Sequence, residues 1–133
     1  MTKIFSLDIV TPSKKVYTGF VSSVSAPGVC GGFQVLVNHA TMLSQIGIGE
    51  MKLLDEQNNE IHFSTSGGFF EVNNNKIIYL AETTEPKHEI DVTRAKASMQ
   101  RAEERMKHKV SVDLARALHA YEKAKNRISV ATK

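Results

Sequence analysis

Residues 89–95 read EIDVTRA, and the chain changes character across them. Residues 1–90 alternate apolar and polar side chains and are broken repeatedly by Gly, Pro and Asn; residues 91–133 contain neither Gly nor Pro and are rich in Ala, Lys and Arg. Within the seam, Asp91 is a good helix N-cap, and Ile90 before it is placed to pack on the first turn. Charge divides at the same point. Residues 1–90 hold 6 Lys+Arg and 9 Asp+Glu, a net of −3, whereas residues 91–133 hold 11 and 5, a net of +6. The pattern predicts a mildly acidic β domain over residues 1–88 and a basic helical appendage over residues 89–133.

Before the seam, Phe5, Leu7 and Ile9 alternate with polar neighbours, the period of a half-buried strand, and Thr11-Pro12-Ser13 ends it with turn chemistry. Short β-rich runs follow at 16–17, 20–25 and 33–37, with Gly28, Gly31 and Gly32 between them. Residues 51–54 and 60–66 flank Gln57-Asn58-Asn59 as one hairpin; residues 69–72 and 76–82 flank Asn73-Asn74-Asn75 as a second. The spacing predicts a β sandwich, or flattened barrel, of about ten short strands, with residues 83–88 as a linker.

After the seam, Val92, Ala95, Met99, Ala102 and Met106 recur on one helical face, and Leu114, Ala117, Leu118, Tyr121, Ala124 and Ile128 on another. A polar interruption at 107–110, with Ser111 as a second cap, makes the two helices an antiparallel hairpin. Alanine in both seams permits close backbone approach. Seams this thin predict a hairpin that rests lightly on the β domain and rearranges readily.

Two cationic triplets share one spacing: Arg94, Arg101 and Arg105, then Arg116, Lys123 and Arg127. At about 100° per residue, each forms a stripe offset by roughly 120° from its own seam, in the same sense. Packed seam to seam, both stripes fall on one open side of the hairpin. The pattern fits a solvated face with internal ion pairs, such as Arg101 with Glu104. It also fits a polyanion site, for a phosphate ligand with the helices paired or for an acidic protein surface with them apart. Geometry does not choose among these.

Several other chemistries lack their residues. No GxxxxGK[ST] loop is present, and Gly28–Gly32 reads as a turn between strands. His39, His62, His88, His108 and His119 have no metal spacing with one another or with Cys30. Ser66-Gly67-Gly68 lacks the GxSxG frame of a nucleophile turn. No catalytic residue and no metal site is predicted, and one cysteine with no long apolar run predicts an intracellular, soluble chain at most peripheral to a membrane. A basic helical pair could also grip nucleic acid. That alternative needs aromatic stacking positions among the basic residues, whereas the tail has only Tyr121, on a seam, and interleaved acids.

Four strings in order resemble the epsilon subunits of the bacterial F-type ATP synthase: residues 10–51 (VTPSKKVYTGF…IGIGEM), residues 64–85 (STSGGFFEVNNNKIIYLAETTE), IDVTRA at 90–95 and NRISVA at 126–131. The resemblance implies a non-catalytic rotor part of the central stalk, peripheral on the cytoplasmic face of the cell membrane. In that family the sandwich clamps the gamma subunit and sits on the membrane ring of proton-carrying subunits. The hairpin either folds against the sandwich or extends into the catalytic head, where its basic residues face a beta subunit and block ATP hydrolysis. Arg105, Arg116, Lys123 and Arg127 would form that inhibitory face. Some relatives also bind ATP on the folded hairpin through an I/L-D-x-x-R-A motif, so that no cofactor is required but ATP becomes a regulatory ligand. Residue by residue, Asp91, Arg94 and Ala95 match the motif, Glu85 matches an acid before it, and Arg101 and Arg127 match basic positions. Lys123 stands where ATP-binding relatives can have arginine. Asp91 thus reads both as a cap and as a ligand residue, and His39, in the Asn38-His39-Ala40 turn, both as a rotor contact and as a turn residue.

Overall fold

The computed structural model describes residues 3–107 and 111–133; of the interruption expected at 107–110, Lys107 is the last residue of the first helix, while 108–110 and the capping side chain of Ser111 lie outside what it describes. Seven strands are present among the described residues: β1 (Phe5–Val10), β2 (Lys15–Gly28), β3 (Gly31–Val35), β4 (Met42–Asp55), β5 (Glu60–Asn73), β6 (Lys76–Ala81) and β7 (Thr84–Pro86). A 3-10 turn at Lys87–Glu89 leads to α1 (Val92–Lys107) and α2 (Ser111–Ala131). The strands run in the order β1-β6-β5-β4-β2-β3, and β1 also pairs with β2, so the sheet closes on itself as a flattened barrel. Closure removes the exposed edges that an open sheet would present. Leu7, Ile9, Val21, Val24, Leu53, Phe63, Phe70, Ile77 and Tyr79 fill the interior.

The sandwich-plus-hairpin architecture is the expected one, but the strands are fewer and longer than their turn spacing suggests. Strands β2, β4 and β5 each run 14 residues. Each passes from one layer of the barrel to the other, so its buried face changes partway and its alternation breaks without the strand ending. In β5 residues 63–67 are buried in succession. The bend lies at Gly67 and Gly68, at φ 126° and 147°. A Cβ on Gly68 would sit 2.2 Å from the Leu80 carbonyl oxygen, so only glycine fits there. The anticipated turns hold elsewhere: Asn74 and Asn75 carry positive φ between β5 and β6, and Gly28 pairs with Gly31 across the β2–β3 turn.

Residues 83–88 are not a free linker. Thr84–Pro86 adds to β5 as an edge strand, with Thr65 opposite Thr84 and Ser64 opposite Glu85. Pro86 is tolerated because an edge strand leaves one side of its backbone unpaired. This strand delivers the chain to α1 close against the barrel wall.

The helical hairpin closes on alanine. Ala95 and Ala102 of α1 and Ala117 and Ala124 of α2 are buried, seven residues apart in each helix. Leu114 and Leu118, expected in the seam, are 41% and 48% exposed. With the small residues bringing the backbones close, there is no room for leucine between them. Asp91 caps α1 as expected: its Oδ1 accepts from the Arg94 backbone N–H at 3.0 Å.

Candidate functional site

Docking of the hairpin is asymmetric. Helix α2 rests on β4, β5 and the 3-10 turn, while α1 packs chiefly on α2. The C-terminal end of α2 supplies the anchors. The Asn126 side-chain amide donates to the Gly49 carbonyl at 2.7 Å and to the Ser64 hydroxyl at 3.1 Å. Val130 is buried, Arg127 forms a two-contact ion pair with Glu85 of β7, and Lys133 Nζ reaches Glu50 Oε1 at 3.1 Å. Glu50 Oε2 lies 3.4 Å from His62 Nδ1 of β5, with no hydrogen bond between them. The Lys87 ammonium donates to the Lys133 carbonyl.

Between this docked hairpin and the barrel lies a cleft of about 510 Å³, within the range of small-ligand sites. The helices contribute Arg94, Ser98, Arg101, Lys123 and Arg127 to its wall; the barrel contributes Thr11, Ser13, Lys14 and the hydroxyl-rich shelf Ser64, Thr65, Ser66, Thr83 and Thr84. Five cations therefore face two carboxylates, Glu82 and Glu85. Among the described residues Lys14, Arg94, Arg101 and Lys123 make no ion pair; only Arg127 is answered, by Glu85. The Arg101 guanidinium donates to the Ser98 hydroxyl at 3.0 Å, which orients its fork within the cleft.

The shelf is itself ordered. Thr65 Oγ1 lies 2.8 Å from Thr84 Oγ1 and also bonds Tyr79 Oη, which donates to the Gly67 carbonyl at 3.1 Å. Burial pushes the Tyr79 phenol above its ordinary pKa, against the opposing pull of its bonds to Thr65 and Thr84. It stays a neutral donor below the cleft floor. A cleft with unpaired arginines on one wall and hydroxyl groups on the other has the chemistry of a polyphosphate or polycarboxylate site.

Four members of the two cationic stripes meet here: Arg94, Arg101, Lys123 and Arg127. The cleft lies on the side of the hairpin turned toward the barrel, not on an open face. Arg105 lines not the cleft but an adjoining shallow hollow with Ala97, Gln100, Glu104 and Arg101, which borders both, and Arg116 lines neither. Both stand toward the inter-helix connection: at 1.5 Å per residue, Arg105 lies about 6 Å along α1 beyond Arg101. Asp91 and Ala95 do not line the cleft; the first caps α1 and the second is sealed in the helix seam. His39 sits elsewhere on the barrel, its Nδ1 2.8 Å from the Ala40 carbonyl, beside the Asn38–Asn75 side-chain bond.

Sequence reasoning missed Asn126, Lys14 and the hydroxyl shelf. The shelf had a signal, the paired strings STS at 64–66 and TT at 83–84, which become meaningful only when β7 lies beside β5. A larger neighbouring hollow of about 670 Å³ shares Thr11, Ser66 and Glu82 with the cleft but is lined by Phe69, Leu80 and Ile46 and by no Lys or Arg. No group of three or more potential metal ligands occurs among the described residues, and no helix there is long and apolar enough to cross a membrane.

Comparison with known proteins covers nearly the whole chain. Residues 4–87 match the family model "ATP synthase, Delta/Epsilon chain, beta-sandwich domain", and residues 88–132 match "ATP synthase, Delta/Epsilon chain, long alpha-helix domain". The ATP synthase epsilon chain of Desulforamulus reducens is 42% identical over 132 residues, 98% of this chain and 99% of that one. The epsilon chain of Nitratidesulfovibrio vulgaris is 41% identical over 131 residues, 98% and 97% of the two chains. A chain in the cryo-EM structure of the Euglena gracilis mitochondrial ATP synthase shares the fold at a TM-score of 0.86 and 17% identity, covering 100% of this chain and 84% of that one.

Proposed function

The chain belongs to the delta/epsilon-chain family of the ATP synthase, and from that premise we propose that its hairpin is a switch held in the docked state by a phosphate-bearing ligand, ATP. As an epsilon chain it is a central-stalk subunit of the F-type ATP synthase. The observation that supports the switch is the cleft, where Lys14, Arg94, Arg101 and Lys123 are gathered without acidic partners.

In this reading the barrel, residues 1–88, is the docking part. It holds the gamma subunit and rests on the membrane ring of proton-carrying subunits, with His39 at a rotor contact, on the cytoplasmic face of the membrane. The hairpin, residues 89–133, is the regulatory part. Docked, it takes ATP between Arg94, Arg101 and Lys123, with Arg127 braced by Glu85, while Asp91 and Ala95 shape the start of α1. Released, it turns Arg105, Arg116, Lys123 and Arg127 toward an acidic surface of a beta subunit and stops ATP hydrolysis. The chain itself performs no chemistry. A ligand that binds only the docked hairpin favours that state by its differential affinity, so abundant ATP holds inhibition off.

Titration of the full-length chain with ATP by calorimetry tests the site. Saturable binding in the millimolar range or tighter is expected, weakened about tenfold or more by Arg94→Ala or Arg101→Ala, because each removes a charge-assisted contact. Heat of dilution alone, at millimolar ATP, overturns the proposal.

A further inference from the structure

Resting on the polyanion reading of the cleft, we propose that the barrel's Thr11–Lys14 turn is a third wall of the ligand site. Lys14 then takes a phosphate and makes the ligand a brace between α1 and the barrel. The same turn lines the cleft that Arg94 and Arg101 line. Its shape is fixed from both sides. Val10 and Lys15, which flank it, are paired across β1 and β2. Within the turn, the Thr11 N–H donates to the Lys14 carbonyl at 2.9 Å, and the Thr11 hydroxyl both donates to that carbonyl and accepts from the Lys14 N–H. The Lys14 backbone is therefore part of the rigid barrel, and its ammonium has no ion-pair partner among the described residues.

The consequence follows from which elements touch. Helix α1 packs on α2 rather than on the barrel. Across the cleft, α1 presents Arg94 and Arg101 to a barrel wall that carries Lys14 beside Glu82 and Glu85; Glu85 is taken by Arg127, and Lys14 offsets the pull of Glu82 on α1. A bound polyphosphate adds attraction from both walls, because its oxygens draw the cations of each. Ligand binding thus acts on hairpin docking directly, not only on the pairing of the two helices. The Ser13 hydroxyl beside Lys14 supplies a further donor at the same wall.

The test compares four full-length chains, wild type, Lys14→Ala, Lys14→Arg and Lys15→Ala, titrated with ATP and with inorganic tripolyphosphate. Lys15 carries the same charge, is exposed on β2 and does not line the cleft. Lys14→Ala is expected to weaken both ligands about five- to tenfold, Lys15→Ala by less than twofold, and Lys14→Arg to restore binding. Hydrogen exchange adds a structural readout: the slowing of α1 amides on adding ATP should shrink in Lys14→Ala. Wild-type affinity in Lys14→Ala overturns the third wall while leaving the helix-borne site standing. Equal losses in both alanine variants reduce the effect to bulk charge and also overturn it. Absence of binding by the wild type overturns this inference together with the site it rests on.

Discussion

Asn126→Ala tests the docking arrangement most directly. The amide makes two neutral hydrogen bonds to the barrel, at 2.7 and 3.1 Å, each worth about 0.5–1.5 kcal/mol net, so their joint removal costs docking about 2 kcal/mol. The Lys133–Glu50 pair cannot compensate, because Lys133 is 53% exposed and such pairs contribute at most about 1 kcal/mol. A loss of 2 kcal/mol lowers the docked-to-undocked ratio roughly 30-fold. At the same time alanine is the better helix former by about 0.5 kcal/mol or more, so the helix itself gains while its seat is lost. Hydrogen exchange with mass spectrometry separates the two effects. Protection of α1 and α2 amides that open through undocking should fall roughly 30-fold, barrel amides should keep their protection, and helix content by circular dichroism should not decrease. Helix protection unchanged within threefold would refute the claim that the C-terminal end of α2 carries the docking. A parallel loss in the barrel would refute its independence.

The remaining predictions concern the barrel and the assembled complex. Gly68→Ala puts a methyl against the Leu80 carbonyl at a backbone angle that alanine rarely adopts, and should destabilise by several kcal/mol, read as a lowered thermal midpoint or failure to fold. Truncation before Asp91 should leave a folded barrel that still assembles with its partners, while ATP hydrolysis by the complex rises; unchanged hydrolysis would remove the inhibitory role of the hairpin.

How much of this was legible depended on whether the signal was local. The period-two pattern of residues 5–9, the Asn73–Asn75 turn, the Asp91 cap and the alanine seam are set by near neighbours in sequence, and each appears as read. The misreadings share a different cause. A strand that crosses from one barrel layer to the other interchanges its buried and exposed faces, so Gly67-Gly68 looks like a break between strands 60–66 and 69–72 although the ladder continues through it. Thr84–Pro86 looks like a linker because Pro is rare in strands, yet at an edge its missing N–H costs nothing. Leu114 and Leu118 look like core residues on a helical wheel, which carries no information about how closely the partner helix approaches. Four members of the cationic stripes share one side, but it is the side turned toward the barrel rather than the open side expected. Which part of each stripe matters was decided by where the barrel ends, and that is a tertiary quantity. Lys14, 80 residues before Arg94 in sequence, had no local signal at all.

The division of charge acquires a meaning from the docking. A −3 β half and a +6 helical half would attract one another evenly if charge were spread evenly, and the hairpin would be glued down along its length. Instead the barrel places its answering carboxylates, Glu50 and Glu85, beneath the last turns of α2, opposite Lys133 and Arg127. Farther from that end, the cleft sets Lys14 and Glu82 of the barrel beside the cations of α1 and α2, and among the described residues no ion pair joins α1 to the barrel. Ion pairs at one end and none at the other give the hairpin a fixed foot and a free side. Release then begins at α1, which has the least barrel packing to lose, and proceeds toward the α2 anchors. An anion in the cleft acts where the arrangement is weakest, so a single ligand of modest affinity suffices to bias a whole two-helix element.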